Sequence, residues 1–368
     1  MIARSDPTRV RCLVKGNHAI ALGAIAGGMD AFFGYPITPQ NEVPEMLAEL
    51  MPRLGRTFIQ AESEIASINM VYGAAGAGLR AMTSSSSPGI SLMLEGVSYL
   101  AGAMLPCFIV NVMRGGPGLG NIAPAQGDYF QAVKGGGHGD YRCLVLAPWS
   151  VQEMFDLPCM AFEMAERYRM PTMMLTDAVL GSMLEPADII DPDHPDFGRR
   201  VPRAAPEWAS AGRFGRKQKN VINSIYLEPQ ALLEHNESLA RTYAQAQCEM
   251  RYDGRLLDDA EFVVVAYGIS ARIAFSAVKA ARARGLKVGL LRPITLWPFP
   301  TRPLAELAER VDGMMVFELS GGQMVEDVRL AVESRCPVTF FGKMGGVLPT
   351  PAELVEQIEA LMPEACHV

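Results

Sequence analysis

Short apolar runs alternate with helical stretches along most of this chain, and no other feature constrains its fold as strongly. In the first half, the pattern predicts strands at residues 57–60 and 81–84, with helices over residues 62–78 and 88–103. Strands that alternate with helices build a mostly parallel sheet with helices on both faces. The sequence therefore predicts an α/β fold.

The alternation is interrupted between residues 185 and 214, where five prolines leave no periodicity. Residues 199–219 carry seven cations against Glu207 alone, which indicates a solvated connector. A contact with an acidic partner surface or a phosphate-bearing ligand is the alternative for this basic arm. A polar helix is expected over residues 228–250, and a second α/β unit begins near Asp258. We expect three parts, at residues 1–185, 186–255 and 256–368.

The composition excludes several classes of protein. With 33 Lys+Arg against 40 Asp+Glu, the net charge is −7, which argues against a nucleic-acid binder. Hydrophobic residues make up 49% of the chain and charged residues 20%, which is typical of globular proteins. The seven cysteines form no C-x-x-C pair, so a zinc ribbon or an iron–sulfur cluster held by this chain alone is not expected. They stand at positions 12, 107, 143, 159, 248, 336 and 366.

Neither of two stretches indicates export or membrane insertion. Residues 1–10 are polar and lack the apolar core of a secretory signal. Residues 90–113 are mostly apolar, but a spanning helix would have to carry Glu95 and tolerate Pro106. We expect a buried helix followed by a buried strand there, in a cytoplasmic protein.

Two strand-to-helix junctions carry groups suited to binding. Gly34-Tyr-Pro-Ile-Thr-Pro39 places the hydroxyl of Thr38 at the carboxyl end of a strand, where open sheets bind ligands. The alternative is that Thr38 caps a helix that begins at Pro39. At the second junction, four consecutive serines at 84–87 offer hydroxyl and N–H groups to an anion. No G-x-S-x-G motif accompanies them, so a serine hydrolase is not expected.

A glycine-rich run, Arg114-Gly-Gly-Pro-Gly-Leu-Gly120, follows the next predicted strand. Its glycines fit the dinucleotide fingerprint as far as Ala123, with Asp140 further on. However, four residues separate the strand from Gly118, and a true Rossmann turn is tighter. An active-site loop is favoured, in which Arg114 clamps a carboxylate with two hydrogen bonds. A surface arginine is the alternative.

Glu64 is the main candidate for a catalytic residue. It lies near the start of a predicted helix and is followed nine residues later by Gly73, a pattern typical of thiamine-diphosphate enzymes. In those enzymes, a buried glutamate hydrogen-bonds N1′ of the aminopyrimidine ring. Glu62 competes for this role, and acids are common at helix N-termini for electrostatic reasons alone.

Several of these segments recur together and in order in one known family. They are residues 34–39, 60–66 (Gln-Ala-Glu-Ser-Glu-Ile-Ala), 83–95, 114–128, 135–139 (Gly-Gly-Gly-His-Gly) and 292–298 (Arg-Pro-Ile-Thr-Leu-Trp-Pro). Over nearly its whole length, the chain resembles the alpha subunit of 2-oxoacid:ferredoxin oxidoreductases, in the pyruvate:ferredoxin oxidoreductase superfamily. Within that family it is most similar to the 3-methyl-2-oxobutanoate (2-oxoisovalerate) branch.

The resemblance implies a thiamine-diphosphate-binding domain of the pyrimidine type, followed by a transketolase C-terminal-like α/β domain whose role is mainly assembly. Glu64 would be the N1′ partner, and Thr38 and Arg114 would meet the carboxylate of the 2-oxoacid. Further cofactor contacts would come from Pro36, Ser85 and Ser86.

The resemblance also implies partners, because this chain lacks a Gly-Asp-Gly motif followed by an Asn pair and has no cluster cysteines. A beta subunit would hold the diphosphate, Mg²⁺ and a [4Fe–4S] cluster, and gamma and ferredoxin-like delta subunits could follow. Coenzyme A would be the co-substrate and ferredoxin the electron acceptor.

Two departures from the family pattern bear on the substrate. The 2-oxoglutarate branch tends to carry Gly-Pro-Ser-Thr-Gly where this chain has Gly116-Pro-Gly-Leu-Gly120, so a branched-chain substrate is favoured over 2-oxoglutarate. His18 stands where the family often has Glu, and nothing explains that change. From another class, a non-catalytic scaffold or a dinucleotide-binding subunit remains the alternative.

Overall fold

The computed structural model describes residues 9–198, 203–213 and 218–362. In the first half, the elements are β1 (Arg9–Lys15), α1 (Gly16–Ala26), β2 (Ala31–Gly34), α2 (Glu42–Arg53), β3 (Thr57–Gln60), α3 (Glu64–Gly76), β4 (Ala81–Ser85), α4 (Pro88–Gly102), β5 (Cys107–Met113), α5 (Tyr129–Val133), β6 (Leu144–Leu146), α6 (Val151–Tyr168), β7 (Pro171–Asp177), α7 (Ala178–Ser182) and β8 (Leu184–Ile190). The second half contains α8 (Pro229–Ala246), a 3-10 turn (Gln247–Glu249), β9 (Tyr252–Arg255), β10 (Phe262–Val265), α9 (Gly268–Ala283), β11 (Val288–Pro293), β12 (Thr295–Trp297), α10 (Thr301–Ala308), β13 (Gly313–Glu318), α11 (Met324–Val332), β14 (Val338–Gly342) and α12 (Pro351–Leu361).

Two sheets dominate the described ranges. The first has the order β12-β6-β7-β5-β4-β2-β3, and its strands pair in parallel except for β12, which is antiparallel to β6. The second has the order β14-β13-β10-β11-β9, with β9 antiparallel at one edge. Helices that alternate with these strands bury them, and β4, β5 and β7 are buried along their whole length. The predicted α/β class is therefore confirmed.

Close backbone contacts hold helices of the first half together. A Cβ atom at Gly23 of α1 would lie 2.1 Å from the carbonyl oxygen of Phe155 in α6, so only glycine permits this approach. In the same way, Gly96 of α4 lies against Ile68 of α3, with 2.5 Å between a Cβ at Gly96 and Cγ2 of Ile68. The second contact packs α3 against α4, and both helices carry candidate site residues near their N-termini.

The segment predicted to be irregular is partly a strand. Residues 184–190 form β8, which pairs antiparallel with β1 in a separate two-stranded sheet. Pro186 is accommodated because β8 is hydrogen-bonded on one side only. Further along, Arg203 of the basic arm forms ion pairs with Glu166 and Asp30, whereas the cations at 199, 200, 216 and 217 lie outside the described residues. Cys366 lies outside them as well.

The apolar stretch at residues 90–113 forms α4 and then β5, as predicted. Across the described ranges, no helix is both long and apolar enough to cross a membrane. The division into parts at 1–185, 186–255 and 256–368 stays a prediction. One strand crosses that division, because β12 extends the first sheet although it follows β11 of the second.

Candidate active site

Four neighbouring strands, β5-β4-β2-β3, deliver the predicted site residues at one edge of the first sheet. These strands are parallel, so their carboxyl ends lie together. Residues 35–39 follow β2, and Glu64 lies four residues beyond the end of β3. Ser86 and Ser87 follow β4, and Arg114 follows β5. Residues from 35 to 114 of the sequence thus contribute to one place in the structure.

Glu64 is the first residue of α3, whose N-cap Ser63 accepts a hydrogen bond from the N–H of Ala66. The side chain of Glu64 is buried at 6% relative exposure, whereas Glu62 is exposed. This difference separates the two candidate acids, since a carboxylate that acts on a cofactor from a dry site must be buried.

The Glu64 carboxylate lies against the first turn of α4. A Cβ atom at Gly89 would stand 2.6 Å from Oε1 of Glu64 and 2.1 Å from Oγ of Ser85. The N-terminal end of α4 therefore faces this carboxylate. Glu64 and Ser85 thus share one small space that Gly89 leaves open.

Arg114 and Thr38 lie next to each other, and their contact is made through the backbone of Thr38. The guanidinium of Arg114 is buried at 9% relative exposure, and its Nη1 donates to the carbonyl oxygen of Thr38 at 2.9 Å. Nη2 donates to the carbonyl oxygen of Leu119 at 3.4 Å. Nε has no hydrogen-bond partner among the described residues. Arg114 is therefore a buried cation, so the alternative of a surface arginine is wrong.

Thr38 itself is exposed, and its hydroxyl accepts a 3.4 Å hydrogen bond from Nδ2 of Asn41. The helix cap is wrong as an interpretation of Thr38, because α2 begins at Glu42 with Asn41 as its N-cap. Pro36, the predicted cofactor contact in this turn, is also exposed. The turn is held from below by Gln40, which donates to the carbonyl oxygen of Tyr35 at 3.2 Å.

Ser84 differs from Ser85 and Ser86 in its hydrogen bonding. Ser84 donates a 2.5 Å hydrogen bond to Oε1 of Gln40 and so links β4 to the turn after β2. Ser85 and Ser86 are fully buried, and their hydroxyls have no partner within the described part of the chain. Buried hydroxyls are normally hydrogen-bonded, so these two are exceptions that a structural account of the site must include.

Asn111 and Asp128 join Ser87 in the site, although neither had been predicted as a site residue. Oδ2 of Asp128 accepts hydrogen bonds from Oγ of Ser87 at 2.6 Å and from Nδ2 of Asn111 at 2.9 Å. The N–H of Ser87 donates to Oδ1 of Asn111 at 3.0 Å, which closes a triangle. Burial raises the pKa of Asp128, although the hydrogen bonds from Ser87 and Asn111 lower it in part. The signal that could have indicated this cluster is Gln126-Gly-Asp128, in which an acid follows the glycine-rich loop.

A cavity of about 680 Å³ opens beside Arg114. Its walls come from the glycine-rich loop and from two loops of the second sheet, at residues 319–323 and 344–345. Asp128 and Ser87 also line it. No helix follows Gly120 directly, since residues 120–128 form a loop and Arg114 pairs with Pro124 in an isolated bridge. The dinucleotide fingerprint is therefore wrong as an interpretation of this loop.

Two family models cover this arrangement. The thiamine diphosphate-binding model of pyruvate flavodoxin/ferredoxin oxidoreductases matches residues 22–252. The model of pyruvate:ferredoxin oxidoreductase core domain II matches residues 260–354. The chain belongs to the 2-oxoacid:ferredoxin oxidoreductase family. The predicted family and enzyme class are thus confirmed, and this is a subunit of an oxidoreductase.

Relatives of this oxidoreductase subunit span nearly its full length. A ketoisovalerate oxidoreductase subunit VorB of Methanothermobacter thermautotrophicus is 52% identical over 94% of the chain and 96% of the relative. A 2-oxoglutarate synthase subunit KorA from the same organism is 38% identical over 94% of the chain and 97% of the relative. The higher identity to VorB agrees with the predicted branch. Both relatives are named as subunits, which implies that this chain is one subunit of a multi-subunit oxidoreductase.

Solved structures agree with the fold of the oxidoreductase subunit. The 2-oxoglutarate:ferredoxin oxidoreductase from Magnetococcus marinus, with 2-oxoglutarate, coenzyme A and succinyl-CoA bound, superposes with a TM-score of 0.82 at 27% identity. The match covers 98% of this chain and 68% of that one. A split-gene transketolase gives a TM-score of 0.57 at 15% identity, which supports the transketolase-like fold alone.

Proposed function

We propose that this subunit forms, with a partner subunit, the site at which a branched-chain 2-oxoacid is oxidatively decarboxylated to acyl-CoA and CO₂. Two electrons pass to ferredoxin, and the substrate is 2-oxoisovalerate. The observation that carries the proposal is the buried carboxylate of Glu64, packed between Gly89 and Ser85 at the carboxyl edge of a parallel sheet. The identity of 52% to a ketoisovalerate oxidoreductase subunit supports the choice of substrate.

The residues present fit thiamine diphosphate. Glu64 offers a buried carboxylate to the aminopyrimidine N1′, and the buried hydroxyls of Ser85 and Ser86 have no hydrogen-bond partner in the described ranges. Gly89, which has no side chain, leaves room for Oε1 of Glu64 and Oγ of Ser85 at the start of α4. Pro36 forms an exposed apolar surface on the turn after β2. When bound, thiamine diphosphate supplies the nucleophilic carbon and the electron sink that decarboxylation requires.

Glu64 would hold a proton at N1′. A hydrogen bond between this carboxylate and the ring nitrogen would fix where the proton lies. Glu64 is therefore the proposed catalytic residue of this chain.

Arg114 would bind the carboxylate of the 2-oxoacid. Its guanidinium is buried and held by two carbonyl oxygens, and no carboxylate in the described ranges forms an ion pair with it. A buried cation without an anionic partner is costly, so an anionic substrate would relieve that cost. Thr38 would add its hydroxyl, which is exposed beside the carbonyl oxygen that Arg114 contacts.

The remaining parts of the reaction would come from partners. A beta subunit would hold the diphosphate, Mg²⁺ and a [4Fe–4S] cluster, and gamma and delta subunits could complete the assembly. The cofactor would lie between subunits, in an enzyme of the cytoplasm. Coenzyme A would take the acyl group, and ferredoxin would take the electrons from the cluster.

The test is a substrate panel on the complex purified with its partner subunits. Acyl-CoA formation and reduction of an artificial one-electron acceptor would be measured with 2-oxoisovalerate, 2-oxoglutarate and pyruvate. We expect the highest kcat/KM with 2-oxoisovalerate. A preference for 2-oxoglutarate would overturn the choice of branch. Binding of a nicotinamide cofactor without turnover of any 2-oxoacid would support a dinucleotide-binding subunit instead.

A further inference from the structure

We infer that Asp128 is a positioning residue that fixes the backbone of Arg114 relative to the first turn of α4. The inference rests on the proposed function, because it assigns Asp128 a role in the carboxylate-binding half of that site. Asp128 lies just before α5, Ser87 just before α4 and Asn111 in β5, so the cluster joins three elements.

The link from Asp128 to Arg114 passes through one hydroxyl. Oγ of Ser87 donates to Oδ2 of Asp128 at 2.6 Å and accepts from the N–H of Arg114 at 3.1 Å. The same Oγ lies 3.3 Å from the carbonyl oxygen of Arg114, which is a second possible acceptor for the Ser87 hydroxyl. An ionised carboxylate only accepts hydrogen bonds, so the Ser87 hydroxyl donates to Asp128. A lone pair of the Ser87 oxygen then accepts from the N–H of Arg114.

Asn111 is fixed by the same carboxylate. Its side chain is fully buried, and it donates to Asp128 through Nδ2 while Oδ1 accepts from the N–H of Ser87. An acceptor at Asp128 therefore also sets which way the Asn111 amide points. Ser87 is thus held on both its N–H and its hydroxyl. Pro88 and Gly89 follow Ser87 in the chain, and Glu64 packs against Gly89.

Asp128 is anchored in turn by the second sheet. Nε2 of Gln323 donates to the carbonyl oxygen of Gly127 at 2.7 Å, and the N–H of Gln126 donates to the carbonyl oxygen of Leu319 at 2.8 Å. Oε1 of Gln126 accepts from Oγ of Ser270 at 2.6 Å. The second α/β unit therefore contributes to the position of Arg114, beyond the assembly role expected for it.

The experiment uses the assembled complex with the 2-oxoacid that the wild type turns over. Asp128→Asn keeps one acceptor oxygen but loses the charge, and Asp128→Ala loses both. We expect KM for the 2-oxoacid to rise about tenfold in Asp128→Asn and about 100-fold in Asp128→Ala. Thiamine diphosphate affinity, measured by calorimetry, should change by less than about threefold, since Glu64 and Ser85 are retained. Asp140→Asn, an exposed aspartate, is the matched control.

A double-mutant cycle with Ser87→Ala isolates the shared hydrogen bond. If Asp128 acts through Ser87, the double variant should raise KM no more than Asp128→Ala alone, because residues in one network are not additive. Unchanged KM in Asp128→Ala overturns the inference. The inference is also overturned if Asp128→Ala lowers the thermal midpoint and the cofactor affinity but leaves KM unchanged. The role of Asp128 would then be structural. Wild-type complex that turns over no 2-oxoacid would instead contradict the proposed function.

Discussion

Oε1 of Glu64 and Oγ of Ser85 occupy the space beside Gly89. A Cβ atom at this position would lie 2.6 Å from the first and 2.1 Å from the second. Neither atom could remain in place if a side chain were present, because Cβ contacts under 3.0 Å do not occur in folded proteins. The carboxylate of Glu64, which we propose as the N1′ partner, can thus take this position because Gly89, the second residue of α4, has no side chain.

Gly89→Ala should therefore disturb the site while leaving the fold intact. The methyl group would push Glu64 and Ser85 aside, and a displacement of about 1 Å at a reacting group can cost about 100-fold in rate. We expect turnover of the complex to fall by that order, with an unchanged circular dichroism spectrum. Gly73→Ala is the matched control, since a Cβ there meets nothing within 4 Å. Equal loss in both variants would contradict the role of this gap.

Glu64→Gln should abolish most of the turnover while the complex still assembles. The amide has nearly the same shape but cannot hold a proton at N1′, and general acid–base groups typically contribute about 10²- to 10⁴-fold. Steady-state turnover and gel filtration of the complex would measure the two outcomes. Glu62→Gln changes an exposed acid two residues away and should leave turnover unchanged. Full activity in Glu64→Gln would show that the assignment is wrong.

Arg114→Lys should weaken binding of the 2-oxoacid. Lysine keeps the charge but lacks the planar fork, so it cannot hold the carbonyl oxygens of Thr38 and Leu119 and also present two donors to a carboxylate. We expect KM to rise about 10- to 100-fold, because charge-assisted hydrogen bonds are lost. Arg302→Lys, whose side chain is 88% exposed, serves as the control. A KM equal to that of the wild type would exclude Arg114 from carboxylate binding.

Local periodicity was enough to predict most of the strands and helices around the site. The helix over residues 62–78 is α3, although it begins two residues later because Ser63 provides the cap. Contacts between distant segments were not predictable in this way. Asp128 meets Ser87 across 41 residues, and Gln126 meets Ser270 across 144. Such pairs depend on how the elements pack, which leaves no periodic signal in the sequence.

The strand β12 was also not predictable from local periodicity. Residues 295–297 are too few to give an alternating pattern, and their partner β6 lies about 150 residues earlier. The sequence motif that contains them, residues 292–298, was found only through the resemblance. Its first residue, Arg292, turns out to connect the second sheet to α6.

Arg292→Ala should destabilise the subunit. The guanidinium is 2% exposed, forms a two-pronged ion pair with Glu153 at 2.9 and 2.7 Å, and lies 4.4 Å from the ring centre of Trp149. Removing it leaves Glu153 without its main partner, which typically costs about 3–5 kcal/mol. Urea unfolding followed by circular dichroism would measure the loss. Arg302→Ala breaks an exposed pair and should cost less than about 1 kcal/mol.

Asp177 should make the stability of the subunit depend on pH in an unusual direction. Its carboxylate caps α7 through the N–H groups of Val179 and Leu180, and burial raises its pKa to about 6 against the lowering effects of these bonds and of Arg272. Between about pH 4 and pH 6, the folded state keeps a proton that the unfolded state releases. Stability should therefore fall as the pH rises through this window, by on the order of 3 kcal/mol in total.

Asp177→Asn should remove this contribution, because the amide oxygen can still accept from the N–H groups of Val179 and Leu180 but carries no charge. The variant should match the wild type near pH 4 and exceed its stability at pH 7. Urea titrations at several pH values would measure both curves, and Asp140→Asn, on an exposed side chain, should follow the wild type. Parallel curves for the wild type and Asp177→Asn would show that Asp177 titrates alike in the folded and unfolded states.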